Sequence, residues 1–143
     1  VAKGQKNCHY DNCSYDPNSD TYKNKCNCLY WGGAIQCKGY ARYVYEQNNG
    51  TYSWGSNNKL TYKKSTVAQR AEAEKDMKAF VSDLSIGSHI RLGTAHSVIL
   101  TGTTSDGFTV YQANADDKNC KVTSGTYKYS KVVSNYSSIT ANE

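Results

Sequence analysis

The 143-residue chain is predicted to fold as an α+β domain. Two helical hydrophobic patterns come first, and the apolar period then changes from 3.6 to two for the rest of the chain. Ahead of both lies a loop-rich, cysteine-rich segment without periodicity. The expected organisation is a stapled segment over residues 1–30, packed on a domain spanning residues 31–143. In that domain the N-terminal helices pack on an antiparallel β meander.

Hydrophobic residues make up 38% of the chain, and mean hydropathy is -0.74. The core is therefore small and the surface polar. No apolar run reaches the roughly 18 residues that a membrane span needs. Six cysteines in so short a chain favour an oxidising, extracellular compartment such as a cell wall or periplasm. The net charge of +5 is spread along the chain rather than clustered. A diffuse positive field suits anionic surroundings such as cell-wall polymers. No helix-turn-helix, zinc-finger or aromatic RNA-binding motif is present, so nucleic acid is not an expected partner.

Residues 1–30 contain Cys8, Cys13, Cys26 and Cys28 among Asn, Asp, Ser and the single proline, Pro17. Such a segment cannot build a core and needs staples. Two disulfides are the leading reading, with the connectivity open. A zinc site that includes His9 competes, but the spacing departs from ribbon and finger patterns. Asp16-x-Asn18-x-Asp20 echoes the start of a calcium loop. Thr21 then stands where the loop needs Gly, and Asn27 where it needs a bidentate Glu, so a polar turn is expected. No metal or other cofactor is expected.

The first helix begins after Gly32-Gly33, within Gln36-Cys37-Lys38-Gly39-Tyr40-Ala41-Arg42-Tyr43-Val44-Tyr45. Tyr40, Ala41, Val44 and Tyr45 follow Cys37 at one-face helical spacing, and Asn48-Asn49-Gly50 supplies the stop. A thiol in the first turn of a helix lies among unpaired N–H groups at the positive end of the dipole, and both favour the thiolate. Cys37 is thus placed as a nucleophile for acyl transfer. The plain alternatives for it are a small buried hydrophobe or half of a disulfide. Tyr40, Trp31 and Trp54 are candidate cleft-lining residues.

After a polar stretch over 48–64, Thr66-Val67-Ala68-Gln69 fits a capping box. Val67, Ala71, Met77, Phe80, Val81 and Leu84 supply the stripe of a second helix, which Ser85-Ile86-Gly87 ends. The period then becomes two. A short strand holds Ile90 and Leu92, and Gly93 turns the chain. A second strand covers 96–101, a hairpin loop 103–107, and the return strand 108–114. A last strand is expected over 126–133, with Ile139 packing near the end.

Apolar alternation sets the hairpin register. Pairing Leu100 with Val110 puts Val98 opposite Gln112 and His96 opposite Asn114. Either amide is then close enough to hold one nitrogen of His96, leaving the other to face a thiol. His96 is the candidate base and Asn114 the first candidate to orient it, with Gln112 second. His89 fits the alternation less well, and His9 lies in the cysteine-rich segment.

Gln36-Cys37-x-x-Tyr40-Ala41, then His96-Ser97-Val98-Ile99-Leu100, then Gln112-Ala113-Asn114 together resemble the CHAP family. These are cysteine, histidine-dependent amidohydrolases/peptidases with a papain-like fold related to NlpC/P60. The resemblance covers about residues 31–120 and implies a Cys37 nucleophile and a His96 base. Gly87-Ser88-His89-Ile90 is similar to the family's Gly-Asp-hydrophobic strand start, with Ser88 in place of Asp. The family often carries Glu where this chain has Gln112, and a neutral amide adds no charge to hold an imidazolium. Gln36 and the Cys37 backbone N–H are the candidate oxyanion donors. Setting Cys37 aside leaves five cysteines, so one is free, intermolecular or metal-bound, and Cys120 is a candidate to bridge to the N-terminal segment. The resemblance, the basic charge and the secreted character imply a bacterial hydrolase of peptidoglycan amide bonds, either an N-acetylmuramoyl-L-alanine amidase or a peptide endopeptidase. Competing readings are a papain-like peptidase or amidase on protein or small amides, such as an effector or toxin, and a non-catalytic cell-wall-binding module.

Overall fold

The computed structural model describes residues 36–49, 58–113 and 122–143. The cysteines other than Cys37, together with Trp31, Trp54, Asn114 and the candidate zinc and calcium positions, lie outside them. The elements in chain order are α1 (Gln36–Asn49), β1 (Asn58–Thr61), α2 (Val67–Ser82), β2 (His89–Leu92), β3 (His96–Thr103), β4 (Gly107–Ala113), β5 (Val122–Lys128), α3 (Tyr129–Asn135) and β6 (Ser138–Asn142). The strands form one antiparallel sheet in the order β1-β6-β2-β3-β4-β5. The α+β architecture expected from the change of period is therefore present, and β2 to β5 form the meander.

The main core lies between the sheet and α2 with α3. Ala73, Met77 and Val81 of α2 and Val132 and Val133 of α3 pack on Ile90, Leu92, Val98, Leu100, Phe108 and Val110. Alternation sends Ile99 to the opposite face, where Ala41, Tyr45 and Val44 of α1 cover it. The helices thus clothe both faces, α1 on one and α2 with α3 on the other.

Helix α2 starts where the capping box places it. The Thr66 hydroxyl accepts from the Gln69 N–H at 3.1 Å, and the Gln69 side chain accepts from the Thr66 N–H at 3.2 Å. Its buried face is set by Ala73, Met77 and Val81, with Phe80 and Leu84 beside them. Val67, expected in the stripe, is 76% exposed, and Ala71 is exposed as well. The helix meets the sheet only after its first turn.

The predicted last strand over 126–133 is corrected. Strand β5 occupies Val122–Lys128, and the chain turns into α3 at Tyr129. Val132 and Val133, which suggested a strand, are buried helical residues. The end of α3 is secured by long-range bonds. Tyr62 Oη donates to the Tyr136 carbonyl at 2.7 Å, and Lys64 Nζ to the Ser134 and Tyr136 carbonyls at 3.1 and 3.0 Å. These satisfy carbonyls that a helix leaves without partners. Strands β1 and β6 pair through Leu60↔Ile139, and β6 also lies against β2.

Candidate active site

Helix α1 spans Gln36–Asn49, so Cys37 stands in the first turn, the part of a helix whose N–H groups lack intrahelical acceptors. No acidic residue occupies that turn. The thiol is buried and free of any disulfide. It meets the sheet at the β2–β3 turn. There Leu92 pairs with His96 and Arg91 with Ser97. Gly93 makes this turn with φ +55°, and a Cβ there would come within 3.2 Å of the Tyr136 ring. Turn geometry and crowding both call for glycine.

Three groups converge on the thiol: the His96 imidazole through a side-chain hydrogen bond, the Ser97 backbone N–H, and the Arg91 guanidinium, whose Nη1 lies 3.9 Å from Sγ. Burial pushes the Cys37 thiol up. The His96 bond and charge, the Ser97 N–H and the Arg91 charge together outweigh it and hold the thiol below its ordinary 9.0. His96 mirrors this. Burial pushes it down, but the bond and charge of Cys37 and the bond to Gln112 bring it net above 6.5, against opposition from Arg91. Both shifts favour the thiolate–imidazolium pair.

The hairpin register is the one alternation predicts, with Leu100 opposite Val110 and Val98 opposite Gln112. Position 112 is therefore diagonal to His96, a distance that a long side chain spans. Gln112 Oε1 lies 2.8 Å from His96 Nε2. A carbonyl oxygen only accepts, so Nε2 carries the proton and Nδ1 is left for the thiol. Asn114, the first sequence-based choice for orienting His96, lies outside the described residues. Gln112, the second choice, does hold the ring, its side chain being long enough to reach along the diagonal.

Two further residues hold that amide. Tyr127 Oη donates to the same Oε1 at 2.6 Å. Burial pushes the Tyr127 phenol up to about 12, so it remains a donor. Gly125 lies across from Val110, and a Cβ there would fall 2.5 Å from Gln112 Nε2. Glycine is what leaves the amide its place.

Comparison with protein-family models, curated proteins and solved structures finds no match for this chain. The chemical reading therefore rests on the residues themselves.

Sequence reasoning brings Cys37, His96 and Gln112 to one place. It overlooks Arg91, Ser97, Gly125 and Tyr127. The first two were within reach, since a three-residue turn after Leu92 sets Arg91 opposite the residue that follows His96. Tyr127 and Gly125 depend on the extent of β5, which the sequence pattern misplaced. Tyr40 is buried one turn after Cys37, and the side chain of Gln36 lies outside the described ones. His89, on β2, is also buried. Burial first, then the charges of Arg91 and Lys38, push it down to about 3. It is neutral at ordinary pH, and it is no catalytic acid. Among the described residues no group of His, Cys, Asp and Glu side chains is arranged to hold a metal ion, and no helix there is long and apolar enough to cross a membrane.

Proposed function

We propose that the protein is a secreted bacterial cysteine amidohydrolase with a papain-like, CHAP-type domain, acting on amide bonds of cell-wall peptidoglycan. The observation that carries this reading is the chain of contacts Cys37–His96–Gln112, in which an amide oxygen fixes the imidazole with one nitrogen turned to a thiol held below its ordinary pKa. This is the order of roles in a nucleophilic triad.

In the reaction, Cys37 Sγ attacks the scissile carbonyl carbon while His96 holds the thiol's proton. The N–H groups of the first turn of α1 receive the developing oxyanion. His96 then gives its proton to the departing amine, which leaves as the C–N bond breaks and the thioester remains. A water loses a proton to His96 and attacks the thioester, releasing the carboxylic acid and restoring the thiol. The basic charge of +5 draws the protein to anionic wall polymers.

The test is digestion of purified peptidoglycan, with product analysis by mass spectrometry. Wild-type protein releases new amine and carboxyl ends, and Cys37→Ala and His96→Ala release none while keeping the wild-type circular dichroism spectrum. Undiminished cleavage by Cys37→Ala would end the proposal. Cleavage of soluble peptides with none of peptidoglycan would move the substrate to protein.

A further inference from the structure

Beside the nucleophile stands a cation whose charge supports the thiolate and whose hydrogen-bond donors the hydrolytic steps leave partly unused. Arg91 Nη1 bonds Ser97 Oγ at 2.9 Å and approaches Cys37 Sγ at 3.9 Å, and Nη2 donates to the Thr94 carbonyl. These contacts lock the guanidinium plane. A guanidinium has five N–H donors, so Nε–H and a second Nη2–H remain. Among the described residues nothing takes them, and no carboxylate pairs with Arg91; the ion pair found there is Arg42 with Glu46. Nε–H together with an Nη2–H is the donor pair that a guanidinium can offer a carboxylate in bidentate fashion. The surroundings add to the demand for an anion. Lys38 follows the nucleophile on α1, and burial, then the charge of Arg91, push its ammonium down.

We propose that Arg91 is an anion-recognition group next to the nucleophile, and that it selects amide substrates bearing a carboxylate beside the scissile bond. The site then reads two features together. Cys37 takes the amide carbonyl, and Arg91 fixes the neighbouring carboxylate, which positions the bond and confers preference over the uncharged amide analogue. The substrate class rests on the reading of Cys37 as nucleophile, and the test separates the two.

The thiol is alkylated with iodoacetate and with iodoacetamide, which differ in charge but form the same C–S bond with loss of iodide. The ratio of the two rates reports an anion site irrespective of any substrate. Arg91→Gln is expected to lower the iodoacetate-to-iodoacetamide ratio about three- to tenfold, Arg91→Lys to lower it less, and added salt to compress the wild-type ratio. In parallel, N-acetylglutamate and the neutral N-acetylglutamine are titrated into full-length Cys37→Ser protein, following the Arg Nε–H signals by NMR. The acid gives a saturable shift that Arg91→Gln removes, and the neutral amide gives none. Rapid wild-type alkylation with an unchanged ratio in Arg91→Gln, or equal slowing of both reagents, overturns the anion site and leaves the nucleophile standing. An inert Cys37 with Arg91-dependent binding of N-acetylglutamate overturns the nucleophile and keeps the site. Should Arg91→Gln fail to fold, Arg91→Lys and the titration decide, and absence of a saturable shift overturns the inference.

Discussion

Replacing Gln112 by Leu keeps the bulk of a buried side chain and removes the acceptor shared by His96 Nε2–H and Tyr127 O–H. His96 is buried, so its orphaned donor costs about 1–3 kcal/mol. Tyr127 is half-buried, and water can reach its hydroxyl in part, which limits the second penalty. The expected loss of stability is about 2–4 kcal/mol, read from urea unfolding. The bond to Gln112 is also one of the influences that raise His96. Without it the imidazolium weakens as a partner for the thiolate, and each pKa unit corresponds to about 1.4 kcal/mol, or tenfold in the charged population. Iodoacetamide labelling of Cys37 in Gln112→Leu should therefore fall off at a higher pH than in wild type. Gln112→Glu is the counterpart. It keeps both acceptances, adds a charge, raises His96 further and extends fast labelling toward acidic pH. If Gln112→Leu matched wild type within about 0.5 kcal/mol and kept its labelling profile, the amide would not be holding the imidazole, and the triad argument would fail.

Three more outcomes can be checked. Gly125→Ala drives a Cβ to 2.5 Å from Gln112 Nε2 and should destabilise the fold by about 1–3 kcal/mol; combined with Gln112→Leu the loss should be less than additive, because the crowded group is gone. His89 is depressed to about 3 in the fold against 6.5 unfolded, so its contribution is intact above pH 6.5 and drains away as pH falls toward 3. Urea stability should drop by about 3–5 kcal/mol across that window, and His89→Leu should flatten the slope whatever it does to stability at neutral pH. Phe108 is fully buried and lies 5.8 Å, centroid to centroid, from the Tyr127 ring. Phe108→Ala should cost about 3–5 kcal/mol in thermal or urea unfolding, and a loss under 1 kcal/mol would show that the core is elsewhere.

Much of the helix and hairpin layout was legible because it depends on local rules. The Thr66–Gln69 box, the stripe through Met77 and Val81, and the alternation of Val98, Leu100, Val110 and Gln112 each act within a few residues, so the chain states them directly. Cys37 in a first turn and His96 at the start of a strand follow from the same rules.

Partnerships between distant segments were decided by tertiary structure. Val132 and Val133 suit strand or helix equally in isolation, and packing against α2 made them helical. Strands β1 and β6 are short and half polar, and they exist because β6 pairs with β2 on one side and with β1 on the other. The contact of Gln112 with His96 turned on side-chain reach along a diagonal. The parts added by Tyr127, Gly125 and Arg91 turned on strand pairings that bring them beside an amide and a thiol. By itself the sequence determined the residues proposed for the chemistry and most of the periods that place them on helix or strand. Only the folded chain determined which acceptor, cation and cleared space surround them, because such contacts depend on distances that no local pattern encodes.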